Sequence, residues 1–257
     1  MNYCFFYILL DKMALTLTQK EHIEMQLRGH DRDAVRAQII LDEAKNVSLE
    51  LLIERGVFGS DIMSSGIYLA RFLYQNQELY KGKSCLDMGC GPGTQGIVMA
   101  KYGAKSVDLT DISKKAVDNT KKNIQKHQLE GICTAYEGDL FSALPKGKRY
   151  GVIAFNHPFF PEEAENFKTN VCNDIELKKT MLGGTELIKR FLGDVKEYLN
   201  DGIIIMPYFR FAGHENNPIT HAEDYGLKII DEERIESKQG LQLGDFSIYL
   251  IRIKTTR

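Results

Sequence analysis

From about residue 83 onward, short apolar runs of strand length alternate with segments whose apolar positions recur at helical spacing. Strands are predicted at 84–88, 106–110, 132–137, 150–155 and 202–206. Helices are predicted at 94–102, where Gly103 stops the chain, at 113–128, where Ser113 is the cap, at 185–199 and at 220–225. Two further strands, 227–234 and 246–253, follow with no helical pattern between them and read as an antiparallel hairpin at a sheet edge. Such alternation predicts an α/β fold. Its sheet is Rossmann-like, doubly wound, seven-stranded and mostly parallel, with helices on both faces.

Residues 17–56 have a different texture. Ile39, Ile40, Ala44, Val47 and Leu51 recur at helical spacing, so two helices are predicted here, broken near Gly29–Asp33 and ended by Gly56. A third helix starts at Ser64 or Ser65, with Leu69, Phe72 and Leu73 on one face. The division that follows is a helical N-terminal extension, 1–56, and a catalytic-size domain, 57–257. Residues 1–12 read as an extended start or a flexible apolar arm. No Lys or Arg precedes that apolar run, and it is too short to span a bilayer, so a secretory signal is the lesser alternative.

Composition narrows the picture only a little. The 257 residues carry a net charge of -2, which gives no support to a nucleic-acid binder acting through bulk charge. Five cysteines at irregular spacing include no Cys-x-x-Cys pair, so no metal site is expected and a cytoplasmic protein with reduced thiols is the simplest account. Lys114, Lys115, Lys121, Lys122 and Lys126 crowd one helix; this is either an RNA-facing patch or, more commonly, a solvated face.

The chemistry concentrates where the first strand of the alternating region ends. Asp87-Met88-Gly89-Cys90-Gly91-Pro92-Gly93 is a glycine turn opening into a helix, whose free N–H groups and positive dipole end face any ligand above the strand. Two cofactor classes compete for it. Gly91-x-Gly93-x-x-Gly96, with Asp111 twenty residues beyond Gly91, fits a dinucleotide fingerprint and hence an NAD(P)-dependent oxidoreductase. That register starts late after the strand, however, and the chain has no Tyr-x-x-x-Lys. The other class uses acids at successive strand ends: Asp87 near a cationic aminoacyl group, Asp111 for ribose hydroxyls, and Asp139 for an adenine amino group.

Leu86-Asp87-Met88-Gly89-Cys90-Gly91-Pro92-Gly93 resembles the first motif of class I methyltransferases, and Asp111-Ile112-Ser113 with Ala116 and Asn119 resembles their second-strand region. Gly56-Val57-Phe58, with Asp61, Gly66 and Leu69, resembles the stretch before that motif in the "small" methyltransferase domain family. That family is related to ribosomal RNA guanine-N2 and release-factor glutamine methyltransferases. The resemblance implies S-adenosyl-L-methionine as cofactor, bound by Asp87, Gly89, Cys90, Gly91, Gly93, Asp111, Ile112, Asp139, Leu140 and Asn156.

Phe155-Asn156-His157-Pro158-Phe159-Phe160 resembles the Asn-Pro-Pro-(Tyr/Phe) motif of enzymes that methylate planar or amide nitrogens. The Asn156 oxygen and the carbonyl of residue 157 accept the hydrogens of an –NH2 group; Pro158 shapes the turn and Phe159 stacks on a flat acceptor. His157 replaces the family's first proline and reads either as a general base or substrate contact, or as a surface or capping residue. Gly183-Gly184 and the helix after them look like the family's substrate side, with no chemistry assigned. The acceptor stays open among an RNA base, a protein amide and a small amine or heterocycle. A non-catalytic methyltransferase-like subunit is a third reading. The Pro-Arg-Pro-x-Thr-Glu stretch of bacterial glutamine enzymes is absent.

Overall fold

In the computed structural model, which describes residues 15–59, 61, 64–235 and 248–256, the chain begins with helix α1, Leu17–His30. Thr16 caps it reciprocally: its hydroxyl accepts from the Gln19 N–H, and its own N–H donates to Gln19 Oε1 at 2.8 Å. Ile23, Leu27 and His30, spaced by one helical turn each, are its buried face.

The second helix expected before residue 56 is instead a β-hairpin, β1 Val35–Asp42 and β2 Val47–Ile53, paired Ala37↔Leu51 and Ile39↔Leu49. Period two wins because Ala37, Ile39, Leu41, Leu49, Leu51 and Ile53 all face inward. Ile40, which completes the apparent helical stripe, points outward and is 42% exposed. The turn is fixed by Asn46 in the left-handed region, φ 52°.

Helix α2, Ser64–Gln75, starts as expected and buries Leu69 and Leu73. Then come β3 Ser84–Met88, α3 Thr94–Lys101, β4 Ser106–Asp111, α4 Lys114–Lys126, β5 Cys133–Glu137 and β6 Tyr150–Phe155. After a long loop lie the short helix α5 Ile175–Lys179 and α6 Gly184–Asp194. The chain ends in β7 Leu199–Phe209, α7 Pro218–Ala222, β8 Leu227–Ile235 and β9 Ile248–Thr255. The helix expected at 185–199 stops early, and the strand after it is longer than its apolar run suggested.

The seven-stranded sheet has the order β5-β4-β3-β6-β7-β9-β8, parallel except for β9, which is antiparallel to both neighbours. The last strand thus slots inside the edge, leaving β8 outermost. The chain moves outward one way from β3 and the other way from β6, so the switch point lies between their carboxyl ends. One apolar cluster, with the hairpin, fills one face of the sheet; a second lies beneath α6 and α7. A third joins α1 to residues 159–182.

Two fully buried asparagines tie β2 to α4. Asn119 Oδ1 accepts from Glu54 N and its amide donates to the Leu52 carbonyl, both at 2.8 Å. Asn123 Oδ1 accepts from Leu52 N, and its amide donates to the carbonyls of Leu52 and Pro92. They satisfy backbone groups of an edge strand that would otherwise be buried unpaired. No helix of the described residues is long and apolar enough to cross a membrane.

Candidate active site

The loop from Gly89 to Gly93 turns through left-handed backbone at each glycine: φ 62°, 54° and 87° at 89, 91 and 93. Asp111, at the end of β4, holds it from the side. One carboxylate oxygen accepts from Gly91 N and the other from Ser113 N, both at 2.9 Å. Thr120 donates to the Gly91 carbonyl at 2.7 Å. Burial raises the Asp111 pKa above the ordinary carboxylate value, against those two N–H donors.

Over this loop opens a cavity of about 310 Å³ at the switch point. Of the residues the sequence singled out, Gly89, Cys90, Gly91, Asp111 and Ile112 line it from the β3 and β4 ends. Asp139 and Leu140 line it from the end of β5, and Asn156 and Pro158 from the end of β6. The Asp139 carboxylate takes an ion pair from Arg190 of α6, another lining residue. Leu140 sits at φ 48°, a strained conformation for a non-glycine residue at the cavity wall.

Four expected residues do not line this cavity. Asp87 turns under the loop: only 1% exposed, its carboxylate accepts from Gly96 N at 2.7 Å and so anchors the start of α3 instead of facing a ligand. Burial holds its pKa well above the usual range. Gly96 tolerates no side chain there, since a Cβ would lie 2.3 Å from Leu109. Gly93 serves as the N-cap of α3. His157 and Phe159 line a smaller chamber of about 20 Å³ beside the cavity, with Phe58, Asn156 and Thr180 in its wall.

His157 is neither a surface residue nor an exposed cap, being 1% exposed with its ring edge-on to Phe159 at 5.0 Å. Nδ1 carries the proton and donates to the Pro158 carbonyl at 2.7 Å. Burial pushes its pKa down to about 4, against the carbonyls of Pro158 and Pro207, so the ring is neutral at pH 7. Beside it, Asn156 Oδ1 is shut from water and accepts no hydrogen bond.

The chain after Asn156 is held against the start of α6. Phe160 N donates to the Met181 carbonyl and Gly184 N to the Phe160 carbonyl, each at 2.8 Å. A Cβ on Gly184 would fall 2.4 Å from the Pro158 carbonyl, and Gly183 takes φ 87°, so the two glycines are required for different reasons. Helix α1 packs behind: His22 lies 6.0 Å from Phe160 and 5.7 Å from Phe209, and His30 stacks on Phe58 at 4.4 Å. Sequence reasoning missed the part of the wall formed by Glu163, Glu165, Glu176, Lys179 and Glu186, and also Arg190. The acidic run near 162–165 was visible, but no spacing ties it to the glycine loop.

Asp111 at the end of β4 and Asp139 after β5 both line the cavity, one strand apart in the sheet. Among the described residues no group of side chains is placed to hold a metal ion.

Sequence comparison agrees. The profile of the methyltransferase small domain family matches residues 48–176, half of the chain. Over 121 residues the chain is 32% identical to a release factor glutamine methyltransferase of Rhodopirellula baltica, covering 46% of this chain and 41% of that one. A putative protein N5-glutamine methyltransferase of Methanocaldococcus jannaschii is 28% identical over 165 residues, 64% of this chain and 80% of its own. The chain thus spans under half of the first relative's length and four-fifths of the second's. Among solved structures, the Thermus thermophilus 16S rRNA N2 G1207 methyltransferase, in complex with AdoMet and guanosine, superposes with a TM-score of 0.56 at 16% identity. The match covers 87% of this chain and 50% of that one, and it shows a shared fold. The oxidoreductase alternative is not favoured: on the profile match over half of its length, the chain belongs to the methyltransferase small domain family.

Proposed function

We propose that this chain transfers a methyl group from S-adenosylmethionine to a planar or amide-type nitrogen held by Asn156 and the main-chain carbonyl of His157. The observation that carries the reading is Asn156 Oδ1, buried without a partner at the end of β6 beside the cavity. An acceptor left unpaired in that way costs about 1–3 kcal/mol, which a substrate N–H would relieve.

When bound, the cofactor supplies an electrophilic methyl group on a sulfonium. The chain's own part is positioning. Asp111 would accept from the ribose hydroxyls and Asp139 from the adenine amino group, and the glycine loop leaves room for the backbone to approach. A conjugated –NH2 is a poor nucleophile because its lone pair is delocalised. Accepting its hydrogens at Asn156 and at the residue 157 carbonyl aims the lone pair at the methyl carbon. Transfer would form the N–C bond at the expense of the donor's S–C bond, with a neutral thioether as leaving group and the nitrogen's surplus proton lost to solvent. The four described cysteines, all free and buried, suit a cytoplasmic setting.

Transfer of labelled methyl to fractionated cell protein, RNA and metabolites tests this, with Asn156→Ala as control. The variant should lose about 10²–10³ in kcat while S-adenosylhomocysteine affinity, read by calorimetry, is kept. Equal turnover by wild type and variant would sink the reading. Cofactor binding with no turnover on any fraction favours the non-catalytic subunit instead.

A further inference from the structure

A nitrogen that gains a methyl group has a proton to lose, and the small chamber at the end of β6 offers few places for it. Phe58, Phe159, Phe160 and Phe209 line that chamber, and at about 20 Å³ it admits the end of a small polar group. Asn156 Oδ1 and His157 Nε2, from two further lining residues, are both shut from water and have no hydrogen-bond partner. Thr180, also in the wall, spends its hydroxyl on the Leu177 carbonyl at 2.6 Å.

The two unpaired atoms differ in chemistry. An amide oxygen accepts a hydrogen bond but takes no proton near neutral pH, whereas a neutral imidazole nitrogen does both. The other ring nitrogen of His157 is committed: Nδ1 donates to the Pro158 carbonyl at 2.7 Å, which leaves the lone pair on Nε2. Edge-on contacts with Phe155 at 5.8 Å and Phe159 at 5.0 Å fix the ring plane. The Pro207 carbonyl makes no hydrogen bond to Nε2 of the neutral ring, yet it and the Pro158 carbonyl favour the protonated one. Burial outweighs them, so the ring rests neutral and its lone pair is present at pH 7. An amide or conjugated amine nitrogen that carries a fourth bond is a far stronger acid than an imidazolium, so even a weak base in contact with it suffices.

Other bases are worse placed. The carboxylates of the main cavity do not line the chamber, and most are engaged. Asp111 accepts from two N–H groups, Asp139 pairs with Arg190, Glu165 and Glu176 share Lys179, and Glu186 pairs with Lys189. His22, the other titratable residue of the chamber wall, stands on α1 among Phe160, Phe209 and Phe211, its own pKa lowered by burial. Among the described residues no charged side chain lines the chamber.

We propose that His157 Nε2 takes up the proton that the acceptor nitrogen sheds on methylation, a part that the proline of the related motif could not play. This rests on the nitrogen-methyltransfer reading above and supplies its base. The nitrogen's lone pair becomes the N–C bond. One N–H bond then breaks and returns its electron pair to nitrogen, while the proton joins the Nε2 lone pair. The positive charge rests on the imidazolium and passes to solvent with the proton once the product has left.

The first test needs neither cofactor nor acceptor. In the full chain with ¹⁵N-labelled histidine, NMR at pH 7 should find the His157 proton on Nδ1 and a bare Nε2. The second test uses the cell fraction that takes up labelled methyl. His157→Gln keeps an oxygen acceptor without a base, and His157→Phe keeps a ring without either. Both should lower kcat about a hundredfold, with KM and S-adenosylhomocysteine affinity within about threefold, and urea unfolding checks that each variant is folded. A variant that fails to fold leaves the decision to the NMR of the unaltered chain. A proton on Nε2, or an unchanged kcat in folded His157→Gln, overturns the proposal and leaves nitrogen methylation standing. Label in no fraction, with cofactor still bound by the unaltered chain, defeats nitrogen methylation itself and this inference with it.

Discussion

The two halves of the cavity are built from different materials. The half proposed to take the cofactor is mostly backbone: a loop whose glycines take left-handed φ, an aspartate accepting from two main-chain N–H groups, and strand ends in fixed parallel register. The half proposed to take the acceptor is mostly side chains from distant segments: α1, Phe58, the loop after Asn156 and the start of α6. A ligand held by backbone demands a few local residues. A ligand held by packed side chains can be changed by substitution anywhere in that cluster, and this is where relatives acting on different molecules have room to differ.

Damage to one half should therefore spare the other, and the size of each effect sharpens the contrast. Leu27 is fully buried in the cluster that joins α1 to the acceptor loop. Leu27→Ala should cost about 2–5 kcal/mol and lower acceptor turnover, while cofactor affinity stays within about twofold. Urea unfolding and calorimetry read both quantities, and a large fall in cofactor affinity would dissolve the distinction. Asp111→Ala works from the other side. It strips the acceptor from Gly91 N and Ser113 N, so S-adenosylhomocysteine affinity should fall about a hundredfold; retained affinity would show that the loop holds its shape without β4.

His157 gives a pH handle on the acceptor half. Its folded pKa of about 4 lies below the ordinary 6.5. Above pH 6.5 the ring is neutral in both states and its burial carries no pH-dependent penalty. As pH falls below 6.5 the unfolded chain takes up the proton and stability drops, down to about pH 4, where the folded ring protonates as well. Between pH 6.5 and 5 this amounts to about 2 kcal/mol. His157→Gln should lose that part of the slope in urea unfolding. Asp87, whose raised pKa works in the opposite sense, is common to both proteins and cancels. Identical slopes would mean that His157 titrates normally. The smallest effect belongs to Arg190→Ala. Its pair with Asp139 is about half exposed on both sides, so cofactor affinity should weaken only about two- to fivefold; a loss as large as that of Asp111→Ala would make Arg190 a principal cofactor contact.

Much of the cofactor half was legible. The glycine loop, Asp111, Asp139, Leu140 and Asn156 fall on the cavity where strand-end reasoning placed them, because a parallel sheet brings successive carboxyl ends together. Asp87 shows the limit. Its place at the strand end was legible, but its direction depends on Gly96 N lying 2.7 Å away, a fact of the helix start and not of the strand. The helix read through Ile39, Ile40 and Val47 failed for a related reason. Short apolar runs fit periods of 2 and 3.6 alike, and the choice was made by α4, whose buried Asn119 and Asn123 supply hydrogen bonds that only an extended strand could use.

The sequence by itself determined the alternation of strands and helices, the left-handed loop and the identity of the acids at three strand ends, because these depend on neighbours within a few residues. Tertiary structure alone decided that residues 35–53 form a hairpin and that α1 closes over the loop after Asn156. It also decided that His157 is buried neutral, and that Glu163, Glu165, Glu176 and Glu186 share one wall. Burial and field are sums over atoms brought together by folding, and no local pattern encodes them.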